Sequence, residues 1–187
     1  MSFRPGLLTG RRVVLAGAAP VLSERLQGLG AGVQVMDGAS ADDEEQAAAW
    51  VADRVPLDAL VYDAREVFGR GGHERLRAVL DGAWISARAV STGALIPSGD
   101  GGRLLFVAPA ADSGLLADAA RSGLESLART VSVEWARHAV TAVAVCPGAD
   151  TSEDEVADLV AFLLSAAGGY FSGCRFDLGL ISASAAS

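Results

Sequence analysis

The densest group of chemically capable side chains is Tyr62-Asp63-Ala64-Arg65: a phenol, a carboxylate and a guanidinium within four residues at the end of an apolar run. Tyr62 could serve as an acid if a substrate reached it. The plainer reading of a tyrosine at a strand end is a packed, plugging side chain. Ser113 is a possible nucleophile, but no base stands beside it, and a helix cap is its expected role. Asp37 follows a short apolar run and could hold a ribose, as acidic residues do in dinucleotide folds; a solvated loop carboxylate is the simpler expectation. Arg70 and Arg75, flanking Gly71, Gly72, His73 and Glu74, could touch an anion or simply open a helix in solvent. His73 and His138 stand far apart at expected helix ends, where capping is commoner than catalysis. Cys146 and Cys174 lack metal-ligand spacing, as does every His, Cys, Asp or Glu combination.

The elements that must position these groups alternate along the chain. Apolar runs at 12–16, 33–36, 57–62, 103–107, 140–146 and 173–178 read as buried strands. Segments at 21–29, 41–55, 73–95, 115–138 and 152–166 read as helices. The third-to-last strand is set off by the turn Ser98-Gly99-Asp100-Gly101-Gly102, the next is stopped by Pro147-Gly148, and Ser152 with Glu155 forms a capping-box pattern. Residues 182–187 read as a frayed tail. Strand–helix alternation predicts a single α/β domain over 1–187, with a parallel sheet and crossover helices on both faces.

Composition narrows the function classes. Hydrophobic residues make up 51% and charged residues 20% of the 187, which excludes a disordered chain. A formal net charge of −8 argues against a nucleic-acid surface. No apolar run approaches the length of a membrane span, and the first twelve residues lack the pattern of a signal peptide, so a cytoplasmic protein with unpaired cysteines is expected. All 15 basic residues are arginine, which removes every lysine-dependent chemistry at once.

The stretch from Arg121 to Gly148 (RSGLESLARTVSVEWARHAVTAVAVCPG) resembles the last conserved third of the short-chain dehydrogenase/reductase family. RRVVLAGAA resembles its first strand and turn, LDALVYDAREVF its fourth strand, GGRLLFVAP the strand that carries the catalytic serine, and YFSGCRFDLGL its terminal strand. The ordered set covers nearly the whole chain. The resemblance implies a Rossmann-like doubly wound parallel sheet, shortened by one strand/helix unit and by the substrate lid that family members place after the Pro-Gly turn.

The departures fall on functional positions. The glycine-rich cofactor turn is reduced to Ala16-Gly17-Ala18-Ala19-Pro20, in which proline removes an amide donor and Cβ atoms crowd a phosphate. The family's Asn-Asn-Ala-Gly is replaced by Tyr62-Asp63-Ala64-Arg65. The tetrad asparagine maps to Val79 and the serine to Pro109, or to Ala108 with a one-residue slip. The tyrosine maps to Ala117 and the lysine to Arg121. Thr151 resembles the threonine that touches the cofactor after the Pro-Gly turn, one residue early.

Both long helices carry apolar residues beyond one face: Trp84, Ile85 and Val90 on the first, Val133 and Trp135 on the second. The family uses these helices for its main dimer interface. The resemblance therefore implies a non-catalytic subunit that binds no cofactor itself. It would pair through Trp84, Ile85, Val133 and Trp135 with an active, full-length relative carrying NAD(P), in a heterodimer or heterotetramer acting on an acyl-CoA or similar hydroxy or keto substrate. The alternatives are a stand-alone enzyme with a site rebuilt around Tyr62, Asp63 and Arg65, and a homo-oligomeric ligand-binding module.

From the turn and the missing strand/helix unit on the adenosine side, we predict that calorimetric titration of the purified chain with NAD(H) or NADP(H) gives no binding tighter than about 100 μM, near −5.5 kcal/mol. A tighter complex would show that the Ala16–Pro20 turn still accepts a pyrophosphate.

Overall fold

The computed structural model describes residues 3–69 and 72–179. Its elements run in chain order as β1 (Arg12–Ala16), α1 (Pro20–Gly28), β2 (Gly32–Met36), α2 (Gly38–Ala41), α3 (Glu44–Ala52), β3 (Ala59–Asp63), α4 (Arg65–Phe68) and α5 (His73–Val90). They continue as α6 (Ile96–Ser98), β4 (Gly102–Val107), α7 (Ala117–Glu134), β5 (Val140–Cys146), α8 (Glu153–Leu164) and β6 (Cys174–Asp177). The six strands form one parallel sheet in the order β2-β1-β3-β4-β5-β6. Two strands lie outside β1 on the N-terminal half of the usual dinucleotide-binding sheet; here there is one. The chain is a Rossmann-like α/β fold shorter than a full dehydrogenase of this type.

Side-chain alternation divides the core into two layers. Val14, Ala16, Leu60, Tyr62, Leu104, Phe106 and Ala144 point to the face covered by α3, α5 and α7. Val13, Leu15, Val61, Leu105, Val107, Val143 and Val145 point to the face covered by α1 and α8. The central strands are buried on both faces, which is why they read in sequence as continuous apolar runs.

Local chemistry sets the element ends. Pro20 occupies the first turn of α1, where its missing N–H costs nothing. The helix expected over 41–55 is α3, shorter at both ends and capped by Asp43, which accepts from the Gln46 amide at 2.9 Å. Ahead of it a separate short helix, α2, is capped by Asp37, which accepts from the Ser40 amide at 2.8 Å. Asp37 is thus an exposed carboxylate, as expected, and it also caps a short helix. The long helix predicted over 73–95 is α5 followed by a π-helical turn, Ser91–Leu95, that leads into α6. The helix predicted from 115 starts at Ala117 and gives way to a 3-10 turn, Ala136–His138. Ser152 caps α8 with its full capping box. At the other end of α8, Arg103 from β4 donates to the carbonyls of Leu163, at 2.6 Å, and Ser165, a cation on orphan helix-end acceptors. The 182–187 tail lies outside the described residues.

The N-terminal ends of β1 and β3 are joined by ions. The Arg12 guanidinium donates to both carboxylate oxygens of Asp58 at 2.9 and 2.6 Å, and Asp58 also accepts from the Arg12 amide at 2.8 Å. The hydrogen bond from Arg12 holds the Asp58 carboxyl below its usual range, against the opposing effect of partial burial. A carboxyl with a depressed folded-state pKa contributes stability above its unfolded value and loses it as pH falls through the folded one. We predict that Asp58→Asn lowers Tm at neutral pH and flattens the acid limb of the Tm–pH curve below about pH 4. An acid limb parallel to wild type would show that the pair does not contribute.

Candidate functional site

Open α/β sheets bind ligands in the crevice beyond the carboxyl ends of their strands, at the point where the strand order reverses. In this sheet that point lies between β1 and β3, above Gly17 and Asp63. Gly17 has φ +105°, and a Cβ at that position would stand 2.4 Å from the Asp63 carbonyl oxygen. The single glycine of the turn is therefore consumed by contact with β3. The start of α1 is formed by Ala19, which provides no side-chain cap, and Pro20, which has no N–H. These residues do not fit a pyrophosphate, which is normally held by glycine amides and an open helix N-terminus.

The neighbouring space is bridged by side chains of the chain itself. Asp63 is buried and accepts from Arg65 through both oxygens, from Nε at 2.9 Å and from Nη2 at 2.6 Å. The same guanidinium reaches across the crevice to Glu153, in the first turn of α8, at 2.7 Å. Asp63, Arg65 and Glu153 thus clasp the end of β3 to α8. Tyr62 points to the opposite face, into the core under α5. Burial pushes its hydroxyl well above the ordinary range, with smaller contributions in the same direction from Asp42, Asp63 and Asp81. The three residues that the sequence places side by side do not form one site: the strand pleat separates Tyr62 from Asp63 and Arg65.

Three of the positions with tetrad resemblance fall inside the core. Val79 on α5, Ala108 after β4 and Ala117 at the start of α7 are all buried in one core cluster. Arg121, one turn along α7, is buried and donates through Nη1 to the carbonyls of Pro109, at 2.9 Å, and Pro147, at 2.5 Å. Its Nη2 lies 3.5 Å from Asp177 at the end of β6. Asp177 is also bound by Arg175, which reaches Glu125 on α7 at 3.1 Å. Arg121 therefore ties together the ends of β4, β5 and β6. Three planar donors in fixed directions suit that task, and no acid stands one turn before it.

Other candidates have structural partners. Ser113 donates to the Ala110 carbonyl at 2.7 Å instead of capping α7, whose N-cap is Leu116. Thr151 accepts from the Gly148 amide at 2.8 Å, closing the Pro-Gly turn just before the Ser152 cap. The chain passes from Gly148 to α8 within these few residues, with no lid between. His73 opens α5 without a side-chain cap bond, and His138 accepts from Arg137 Nε at 3.0 Å. Arg70 and Gly71 lie outside the described residues. Cys146 is buried and Cys174 half-buried, both as free thiols. Among the described residues, no group of three or more His, Cys, Asp or Glu is arranged for a metal ion, and no helix is long and apolar enough to cross a membrane.

On the outside of α5 and α7, Trp84 and Trp135 stack with ring centroids 6.4 Å apart and planes 14° from parallel. Trp84 is 38% exposed and Val133 77% exposed; Ile85 is half-buried. Sequence reasoning missed Leu115, which is fully exposed just ahead of α7. It also missed Glu153 and Asp177 as partners of Arg65 and Arg121. Their only sequence signal is an acidic residue at a helix start and another at a strand end, which is common.

No family model matches the sequence, and no curated protein matches it. Solved structures do match in fold. A short-chain dehydrogenase from Mycobacterium smegmatis superposes with a TM-score of 0.79 at 23% identity, over 95% of this chain and 95% of that one. A citronellol catabolism dehydrogenase from Pseudomonas aeruginosa gives 0.74 at 24% identity, over 94% and 96%. A gluconate 5-dehydrogenase from Burkholderia cenocepacia, solved with NADP and tartrate, gives 0.73 at 18% identity, over 91% and 94%. The chain has the fold of the short-chain dehydrogenases.

The packing of Tyr62 yields a direct test. A Cβ on Gly82 would stand 2.8 Å from the Tyr62 hydroxyl oxygen and 3.4 Å from the nearest ring carbon. A fully buried ring cannot swing aside. We predict that Gly82→Ala destabilises by about 1–2 kcal/mol, overpacking exceeding the gain in helix propensity. Tyr62→Phe in the same chain should restore most of the loss, as read by urea denaturation. Additive effects of the two substitutions would mean that Tyr62 is not wedged under α5.

Proposed function

We propose that this chain is a non-catalytic member of the short-chain dehydrogenase/reductase family. In this reading it works as a subunit that pairs with a catalytically intact relative and carries no nicotinamide cofactor of its own. The observation that carries the reading is the Arg121 guanidinium. It stands one turn after Ala117, where the resemblance puts the catalytic lysine, and is spent on two main-chain carbonyls. The Asp63–Arg65–Glu153 clasp and the proline-containing turn support the same reading from the cofactor side. An arginine committed to carbonyls cannot tune an acid, and alanine offers no proton.

The surface left for function is the outer face of α5 and α7. A stacked, partly exposed tryptophan pair is the composition of an interface anchor, with Val133 exposed further along α7 and Ile85 on the side of α5 toward α3. The partner fitted to it is a full-length dehydrogenase of the same fold, offering the equivalent two helices and bearing NAD(P). The complex would form a heterodimer or heterotetramer in the cytoplasm and act on an acyl-CoA or similar hydroxy or keto substrate.

Co-expression with an intact relative encoded nearby, followed by native mass measurement, tests the pairing. We predict a stoichiometric complex in wild type. Trp84→Arg and Trp135→Arg should remain folded, with a cooperative thermal transition, and lose at least about 2 kcal/mol of association, roughly thirtyfold in Kd. Hydride transfer by the purified chain alone would overturn the non-catalytic reading. Unchanged assembly in both variants would move the interface away from α5 and α7.

A further inference from the structure

The amino ends of the strands hold a second concentration of charge, at the end of the sheet opposite the crevice. Between the starts of β3, β4 and β5 lies a pocket of about 190 Å³, smaller than a dinucleotide needs, lined by Arg11, Arg103, Asp58 and Asp100. The wall between these charges is mostly glycine and alanine, with no side chain beyond Cβ to fill the space. Asp58 is fully engaged, held through both oxygens by Arg12. Arg103 is half engaged. Its Nη1 donates to the carbonyls that end α8, while its Nη2 stands over Gly169, where a Cβ would come within 2.9 Å of it, and has no acceptor among the described residues. Arg11 and Asp100 line the same pocket with opposite charges. Neither forms an ion pair with the other or with any other described residue.

We propose that this pocket binds a small zwitterion, an α-amino acid, with its carboxylate on Arg11 and Arg103 and its ammonium on Asp100. Burial, and after it the Arg11 charge, lowers the Arg103 guanidinium from its ordinary value. The two cations therefore act on each other across the pocket, and neither is ion-paired. A ligand carboxylate between them removes the repulsion and accepts the charge-assisted bonds that each still has to donate. Gly101, a buried residue of the lining, has an amide with no acceptor among the described residues, a further donor for the same group. A bare anion would satisfy these donors and leave Asp100 facing a like charge; a bare cation would do the reverse. A zwitterion meets both. The Thr141 hydroxyl, which donates to the Gly102 carbonyl at a long 3.4 Å, keeps its lone pairs for the ammonium.

Size selects within that class. The space admits glycine or alanine and excludes an aromatic side chain or a nucleotide. Gly101 keeps the pocket in shape: it has φ +76°, and a Cβ there would stand 2.4 Å from the Ala139 carbonyl oxygen, so only glycine lets the loop lie this close to the start of β5. The site does not rest on the proposed function. It lies at the opposite end of the strands from the crevice, and its four charged residues belong to neither α5 nor α7.

Calorimetric titration of the full chain with glycine and with L-alanine tests the site. The expected result is saturable one-to-one binding with a Kd of about 1 mM or tighter. Acetate and methylammonium, each carrying one of the two charges, should bind at least about tenfold more weakly. This comparison needs only the wild-type chain. Arg11→Gln and Asp100→Asn should each weaken glycine binding at least about tenfold, with unchanged far-UV circular dichroism. Asp100 is exposed and Arg11 half-buried without an ion pair, so both changes are accommodated by the fold. A site for simple anions would take acetate as well as glycine and would bind both more tightly in Asp100→Asn. That outcome, the absence of saturable glycine binding, or glycine binding indifferent to either substitution each overturns the proposal.

Discussion

The fold closes around one buried cation. The chain leaves β4 and β5 with peptide carbonyls at Pro109 and Pro147 that point into the same space, where β6 ends with the Asp177 carboxylate. The Arg121 guanidinium fills that space, taking the carbonyls of Pro109 and Pro147 and approaching Asp177. A buried charge is tolerated only when its donors are met and its charge is balanced. Both conditions hold, through three strand ends at once. The direction in which α7 crosses the sheet, the turn at Pro147-Gly148 and the position of β6 are all tied to this side chain. A lysine, with one ammonium and no planar fork, could not satisfy the same three directions.

A second guanidinium does related work at the other half of the crevice. Arg65 is bound to Asp63 through two hydrogen bonds and reaches Glu153 at the start of α8. The acid at the first turn of α8 also suits the helix dipole, so one charge serves two interactions. In both places the carboxyl end of the sheet, where α/β folds normally receive ligands, is occupied by the protein's own arginines and their partners. The consequence is a filled space between the end of β3 and α8, while the Gly17–Pro20 turn borders an open apolar hollow of about 380 Å³. Further exposed apolar features are the tryptophan stack on α5 and α7, Leu115, and Val35 on β2.

The shortened sheet explains the β2 edge. Removing one strand and helix between β2 and β3 costs little at the centre, because the most buried strands, β3 to β5, keep helices on both faces. It leaves β2 as a terminal strand with the composition of an interior one. Gly32 to Met36 would be unremarkable between two neighbours; at an edge it carries none of the charges by which β6 is protected.

The sequence by itself determined the architecture and the order of its elements. Strand positions at Arg12–Ala16 and Val140–Cys146, the capping box at Ser152 and the apolar face of the long helices were legible, because period, turn residues and caps act over a few neighbours. Helix starts were less legible: the short α2 capped by Asp37 was not expected, α3 began at Glu44 behind its Asp43 cap rather than at 41, and α7 began at Ala117 rather than at 115. These depend on which of several polar side chains wins a given amide, a competition that local sequence does not resolve. Only the tertiary structure decided that Tyr62 and Asp63 belong to opposite faces, that Arg65 pairs with a residue 88 positions away, and that Arg121 serves carbonyls from two other strands. The physical reason is that chemistry within a crevice is fixed by contacts between distant segments, and a linear pattern records only which residues are available to make them.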